Sequence, residues 1–308
     1  MNVELARSYA ACQTLAREAQ SNFYGAFGLL PRPKRLAMCA LYAYLRRADD
    51  LGDSGEPVET RRANLAALRQ SFHGALVGQF ADAYFPALAD TVARFRIPPA
   101  YLLAVIDGVE MDLTPRTYAT FAELEEYCRR VASVVGQACL YVWGFDESEH
   151  SLDLAHQCGL AFQLTNILRD LQEDAAMGRV YLPLEDFARF GYTPNDLRAG
   201  VVDERLRLLL RFEIERAAEC YRRGAALAER LSDDGRPVFG AMLSTYRSLL
   251  REIERRDGQV FGPRIRLATW RKWAIGARWF WPRARVALGD LTGRRAGTPD
   301  RNLVNSGQ

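Results

Sequence analysis

Between Leu160 and Asp174 a stripe of acids and amides runs down what is otherwise an apolar helix. Gln163, Asn166, Asp170 and Asp174 recur at steps of three, four and four, the spacing that stacks side chains on one helical face. Around them stand Leu160, Ala161, Phe162, Leu164, Ile167 and Leu168, which read as buried. A polar stripe in that setting costs stability unless partners satisfy it, and like charges four residues apart repel. A second stretch repeats the plan, with Tyr42, Arg46, Asp49 and Asp53 at steps of four, three and four. One aspartate pair alone would carry little weight, because such pairs are common on solvated helices. Two acidic faces turned toward each other make an oxygen-rich, strongly negative pocket. Hard divalent cations and the phosphates they carry bind in pockets of that kind.

Elsewhere the periodicity is also helical. Leu36, Ala40, Leu41, Tyr44, Ala48 and Leu51 recur at three- and four-residue steps, and similar patterns cover about 60–79, 98–112, 120–143, 150–176, 203–232 and 234–258. The breaks fall at Pro31-Arg-Pro33, at Pro98-Pro99 and between Gly178 and Pro183. Alternating strand patterns are scarce, and no internal repeat of 20–50 residues is visible. The expected fold is all-α: a single bundle of long helices around a deep central cavity, one domain over residues 1–285. Residues 286–308, polar and rich in Gly, Arg, Asn and Ser, are expected to be a disordered tail. A chain of 308 residues with 49% hydrophobic and 26% charged residues can bury a sizeable core.

Several function classes drop out. A net charge of +3 is too small to indicate a nucleic-acid binder. Three histidines without ligand spacing argue against a zinc hydrolase, and neither a P-loop nor a Gly-x-Gly-x-x-Gly after a strand is present. Six scattered cysteines inside apolar stretches point to a reducing compartment. With no signal-peptide order at the start and no eighteen-residue apolar run, a cytoplasmic location is expected. Residues 263–285 interleave Arg264, Arg266, Arg271, Lys272, Arg278, Arg283 and Arg285 with Trp270, Trp273, Trp279, Phe280 and Trp281. That pattern suits an anionic membrane interface, so peripheral membrane association is expected; a solvated terminal helix is the plainer reading.

The acidic stretches resemble the two aspartate-rich signatures of the squalene/phytoene synthase family. The second signature carries Asn166, Arg169-Asp170, Glu173-Asp174 and Gly178-Arg179-Val-Tyr181-Leu-Pro183. Further matches are Phe23-Tyr24, Leu30-Pro31, Asp107-Gly-Val-Glu-Met-Asp112, Tyr127-Cys-Arg-Arg-Val131-Ala132-Ser-Val-Val135-Gly136 and Trp270-Arg-Lys, so the resemblance spans about residues 15–275. It implies an all-α isoprenoid-synthase fold and the head-to-head (1'-1) condensation of two allylic prenyl diphosphates. The first reading is farnesyl diphosphate to presqualene diphosphate or squalene. The alternative is geranylgeranyl diphosphate to phytoene.

That chemistry requires the leaving pyrophosphate to be stabilised as charge develops, by Mg²⁺ (Mn²⁺ can substitute) and guanidinium groups. Asp49, Asp53, Asp170 and Asp174 are assigned to the metal, with Asp50 and Glu173 as weaker candidates. Arg46, Arg169 and Arg179 are assigned to the diphosphates, whose oxygens match arginine forks. Gln163 and Asn166 complete the polar lining. Phe23, Tyr42, Tyr127 and Phe162 would wall in the carbocation, with Ala132 and Val135 shaping the prenyl channel. NADPH use is left open, no nucleic-acid partner is expected, and a monomer is expected. Where many members carry Ser-x-Ser-Phe, this chain has Gln20-Ser21-Asn22-Phe23, which puts amides in place of hydroxyls. Two competing readings remain. A chain-elongating prenyltransferase or terpene cyclase would not carry the Gly-Arg-x-Tyr-Leu-Pro block, and a catalytically silent scaffold would be expected to lose motif aspartates.

Overall fold

A computed structural model describes residues 3–19, 24–262, 264–268, 271 and 274–280. Thirteen α-helices are defined among them: α1 (Val3–Glu18), α2 (Tyr24–Phe27), α3 (Arg32–Gly52), α4 (Val58–Leu76), α5 (Phe85–Phe95), α6 (Pro99–Met111), α7 (Phe121–Cys128), α8 (Val134–Trp143), α9 (Glu149–Ala176), α10 (Leu184–Arg189), α11 (Pro194–Arg198), α12 (Glu204–Gly224) and α13 (Arg236–Arg255). Among the described residues the only β pairing is an isolated bridge between Phe145 and Leu231. The chain is all-α, as its periodicity predicts.

Helix ends follow local chemistry. Prolines occupy the first turns of α3, α5, α6, α11 and α13, where the missing N–H costs nothing. Ser148 caps α9 by accepting from the Ser151 amide. Two expected helices are not uniform. The stretch over 120–143 is interrupted by a π-helical turn, Arg129–Ser133, joining α7 to α8. The stretch over 203–232 ends in a 3-10 segment, Ala225–Arg230.

The long helix α9 packs along α12 and is flanked by α8, α13 and the π turn, while α3 lies against α1, α5 and α6. Glycines set three of these approaches. A Cβ on Gly52 of α3 would fall 2.3 Å from Val109 Cγ1 of α6. One on Gly159 of α9 would fall 2.6 Å from the Ser133 Cα, and one on Gly224 of α12 would fall 2.4 Å from Cys158 Sγ. All six cysteines are buried and free.

Candidate active site

Enclosed by the bundle is a cavity of about 420 Å³, walled mainly by apolar and aromatic side chains. Nine of the residues predicted for the site line it: Tyr42, Tyr127, Ala132, Val135, Phe162, Gln163 and Asn166, with Arg46 and Asp49 at its polar end. Tyr42 meets Phe27 edge-on at 6.4 Å between ring centroids, and Phe162 stacks on Tyr246 at 4.5 Å. Phe23, the remaining predicted wall residue, lies outside the described residues.

Asp53, Asp170, Asp174, Arg169 and Arg179 are not part of the cavity wall but adjoin its polar end. The link is Asp112, which lines the cavity just beyond α6. Tyr127 Oη donates to Asp112 Oδ2 at 2.7 Å and Tyr181 Oη to Asp112 Oδ1 at 2.9 Å. Arg179 reaches the Asp112 carbonyl at 3.4 Å and the Asp53 carboxylate at 3.3 Å, so it joins the ends of α3, α6 and α9. Its position depends on Gly178: with φ of +78°, that residue turns the chain back so that the Arg179 amide caps Asp174 O at 2.8 Å. Asp53 is not inside a helix as expected; it is the residue that ends α3, its amide donating to Asp49 O at 2.9 Å. The close fit of Gly52 on Val109 brings Asp53 and Asp112 to the same end of the bundle.

The carboxylates differ sharply. Asp49 is exposed at the polar end of the cavity, yet the protein packed around it displaces enough water that desolvation, with Asp53 nearby, pushes it up to about 7. Burial, then Asp170, pushes Asp174 up to about 7 as well. Burial also raises Asp112, despite the two tyrosine hydroxyls and Arg179. Burial pushes on Asp170 too, but Arg169 and Arg264 outweigh it and hold the group below the ordinary range. Arg169 pairs with it through Nε at 2.7 Å and also through Nη2; Arg264 pairs through Nε at 3.0 Å and Nη2 at 2.9 Å. Arg46 is half exposed and pairs with Asp50 at 2.7 Å.

Sequence reasoning assigned no role to Asp112, Tyr181 or Tyr246, and it placed Arg264 at a lipid surface. Asp112 and Tyr181 stood inside matching motifs, which was a usable signal. Nothing in the sequence pairs Arg264 with Asp170, 94 residues away. Two more members of that segment also meet the bundle: Arg271 pairs with Glu252 at 3.3 Å, and the indole N–H of Trp279 donates to Ser244 Oγ at 3.3 Å. These groups turn inward because carboxylate and hydroxyl partners on the bundle complement them. Trp270, Lys272, Trp273, Trp281, Arg283, Arg285 and the 286–308 tail lie outside the described residues.

The donor set fits a divalent metal. It is made of carboxylate oxygens, two of them on groups pushed up to about 7, and Asn166 Oδ1 is buried without a hydrogen-bond partner. Among the described residues no three acidic, histidine or cysteine groups converge on one point.

Comparisons with known proteins agree with this geometry. A family profile described as squalene/phytoene synthase matches residues 16–273. The 15-cis-phytoene synthase of Synechococcus elongatus is 35% identical over 283 residues, covering 87% of this chain and 91% of that protein. The phytoene synthase of Arthrospira platensis is 38% identical, covering 86% and 90%. A dehydrosqualene synthase crystallised with a ligand superposes with a TM-score of 0.83 at 28% identity, covering 92% and 98% of the two chains. A squalene synthase of Alicyclobacillus acidocaldarius does so with a TM-score of 0.78 at 28% identity, covering 83% and 97%. A prenyltransferase of the head-to-head condensing type, this chain belongs to the squalene/phytoene synthase family.

Proposed function

We propose that the protein condenses two molecules of geranylgeranyl diphosphate, head to head, into phytoene. The observation that carries this reading is the acidic end of the apolar cavity, where Arg179 spans Asp53 and Asp112. The twenty-carbon substrate is preferred over the fifteen-carbon one of the first sequence reading because the curated relatives are phytoene synthases. The farnesyl reading keeps support from the squalene and dehydrosqualene synthases that share the fold.

In this reading Asp49, Asp53, Asp170 and Asp174, with Asn166, hold the metal. Bound Mg²⁺ would neutralise charge developing on the leaving pyrophosphate. Arg46, Arg169 and Arg179 bind diphosphate oxygens and orient the allylic C–O bond. Tyr127 and Tyr181 hold the Asp112 carboxylate in one orientation through their hydroxyls. Phe162, Tyr246 and Tyr42 keep water from the cationic carbon and offer ring faces to it. Overall, two C–O bonds break, two pyrophosphates and two protons leave, and no reductant is consumed. NADPH would be needed only for a squalene-type ending.

Peripheral membrane association belongs to the same proposal. No described helix is long and apolar enough to cross a membrane. Support comes from the exposed Arg266 and Arg278 and from Phe280, which is 54% exposed. The deciding experiment incubates the full chain with Mg²⁺ and each diphosphate, with and without NADPH, and identifies the hydrocarbon. Phytoene from the twenty-carbon substrate without NADPH is the expected product. Turnover of farnesyl diphosphate alone would overturn the assignment. Co-sedimentation with anionic vesicles tests the membrane part.

A further inference from the structure

Behind the cavity wall runs a chain of polar groups that the chemistry above does not use. His156 of α9 is buried, with Nε2 at 2.9 Å from Glu125 Oε1 of α7 and Nδ1 at 2.7 Å from Ser133 Oγ of the π turn. The Ser133 hydroxyl also lies 3.4 Å from the His156 carbonyl oxygen, so His156 meets Ser133 through both its ring and its backbone. Ser133 is itself fully buried, while Glu125 reaches solvent at 32% side-chain exposure.

What this chain braces is unusual backbone. A π turn is rare and sits most often at functional sites, where its extra residue is held by surrounding structure. Here Val131 and Ala132 of the turn line the cavity, and so do Ala155 and Gly159, which stand on either side of His156 on α9. The seam is tight: Cβ atoms on Gly159 and Gly108 would fall 2.6 Å from Ser133 Cα and 2.7 Å from Val131 Cγ1. His156 also stands two helical turns before Gln163, on the face that carries Asp170 and Asp174. The acidic stripe of α9 therefore ends, deeper in the bundle, in a histidine covered by the π turn.

We infer that His156 is a positioning residue. Anchored by Glu125, it holds Ser133 and thereby keeps Val131 and Ala132 at a set distance from α9. This fixes the bore of the cavity where the substrate's hydrocarbon chain lies. The inference rests on the prenyl-binding reading of the cavity.

The test compares Ser133→Ala, His156→Phe, Glu125→Leu and Glu125→Gln with the wild type, measuring kcat and KM separately for the fifteen- and twenty-carbon diphosphates. Binding of inorganic pyrophosphate with Mg²⁺ is titrated alongside. Ser133→Ala, His156→Phe and Glu125→Leu are expected to change the ratio of kcat/KM between the two chain lengths by about tenfold, the scale on which small changes of fit in an apolar pocket act. Pyrophosphate binding should stay at the wild-type level, and Glu125→Gln, which keeps the acceptor, should restore the wild-type ratio. Glu125→Leu, at the half-exposed end, carries the test if an interior variant fails to fold. Lower melting temperatures with an unchanged chain-length ratio would overturn the role of His156 alone. No turnover of either diphosphate by the wild type would overturn the prenyl-binding reading and this inference with it.

Discussion

Asp49 and Asp170 hold matching places in two similar stripes, yet their surroundings drive them in opposite directions. Asp49 lies among Asp53, Asp50 and Asp112, with Arg46 as its attracting neighbour, and desolvation raises it to about 7. Asp170 is gripped by Arg169 and Arg264 and held low. Equal spacing on a helix therefore says which residues share a face, and the partners brought by other elements decide their charge. On α9, Asp170 presents a fixed anion, while Asp174 four residues on is raised like Asp49. The α3 side presents a carboxyl that gives up its proton when a cation arrives.

Breaking either side should abolish function. Asp53→Asn and Asp170→Asn are each expected to lower kcat/KM on the order of 10³-fold at saturating Mg²⁺, the scale of losing one electrostatic contact to a developing charge. Near wild-type turnover by either variant would remove that aspartate from the metal set.

Next in size is Arg179, which spans the two sides. Arg179→Lys keeps the charge but loses the fork, so kcat/KM should fall roughly 100-fold while the melting temperature barely moves. Full activity with lysine would reduce Arg179 to a turn residue.

The contrast itself is sharpened by stability without metal. Asp49→Asn and Asp174→Asn remove carboxyls that are costly to ionise in place, so both should raise the melting temperature at pH 8. Asp170→Asn leaves Arg169 and Arg264 without their shared counter-charge and should lower it. Equal shifts in all three variants would erase the distinction between Asp170 and the two raised carboxyls.

The smallest expected effect is in pH dependence. Because Asp49 and Asp174 are raised in the folded chain, the unfolded chain ionises them first as pH rises. Their stabilising share is complete below about pH 4 and is lost as pH climbs through about 7. The Asn variants should flatten that decline. Binding of Mg²⁺ with pyrophosphate near pH 7 should release protons, measured by calorimetry in buffers of different ionisation heat. No proton release would show that the two groups are already ionised.

Much of this was readable from residues alone. Helical periodicity specified the all-α bundle, because apolar stripes of 3.6-residue period with scarcely any strand pattern beside them have only other helices to pack against. The polar stripe of α9 announced a cavity, since buried amides and acids need partners. The motif residues Tyr42, Tyr127, Ala132, Val135, Phe162, Gln163 and Asn166 come together on that cavity's wall. Tertiary structure alone decided the rest. Nothing local marks the π turn at Arg129–Ser133, because its extra residue is stabilised by Gly108, Gly159 and His156 from other helices. The inward turn of Arg264 could not be read either. A basic residue beside tryptophans satisfies an anionic lipid and a buried carboxylate equally well, and only the fold brings Asp170 within 3.0 Å of its guanidinium.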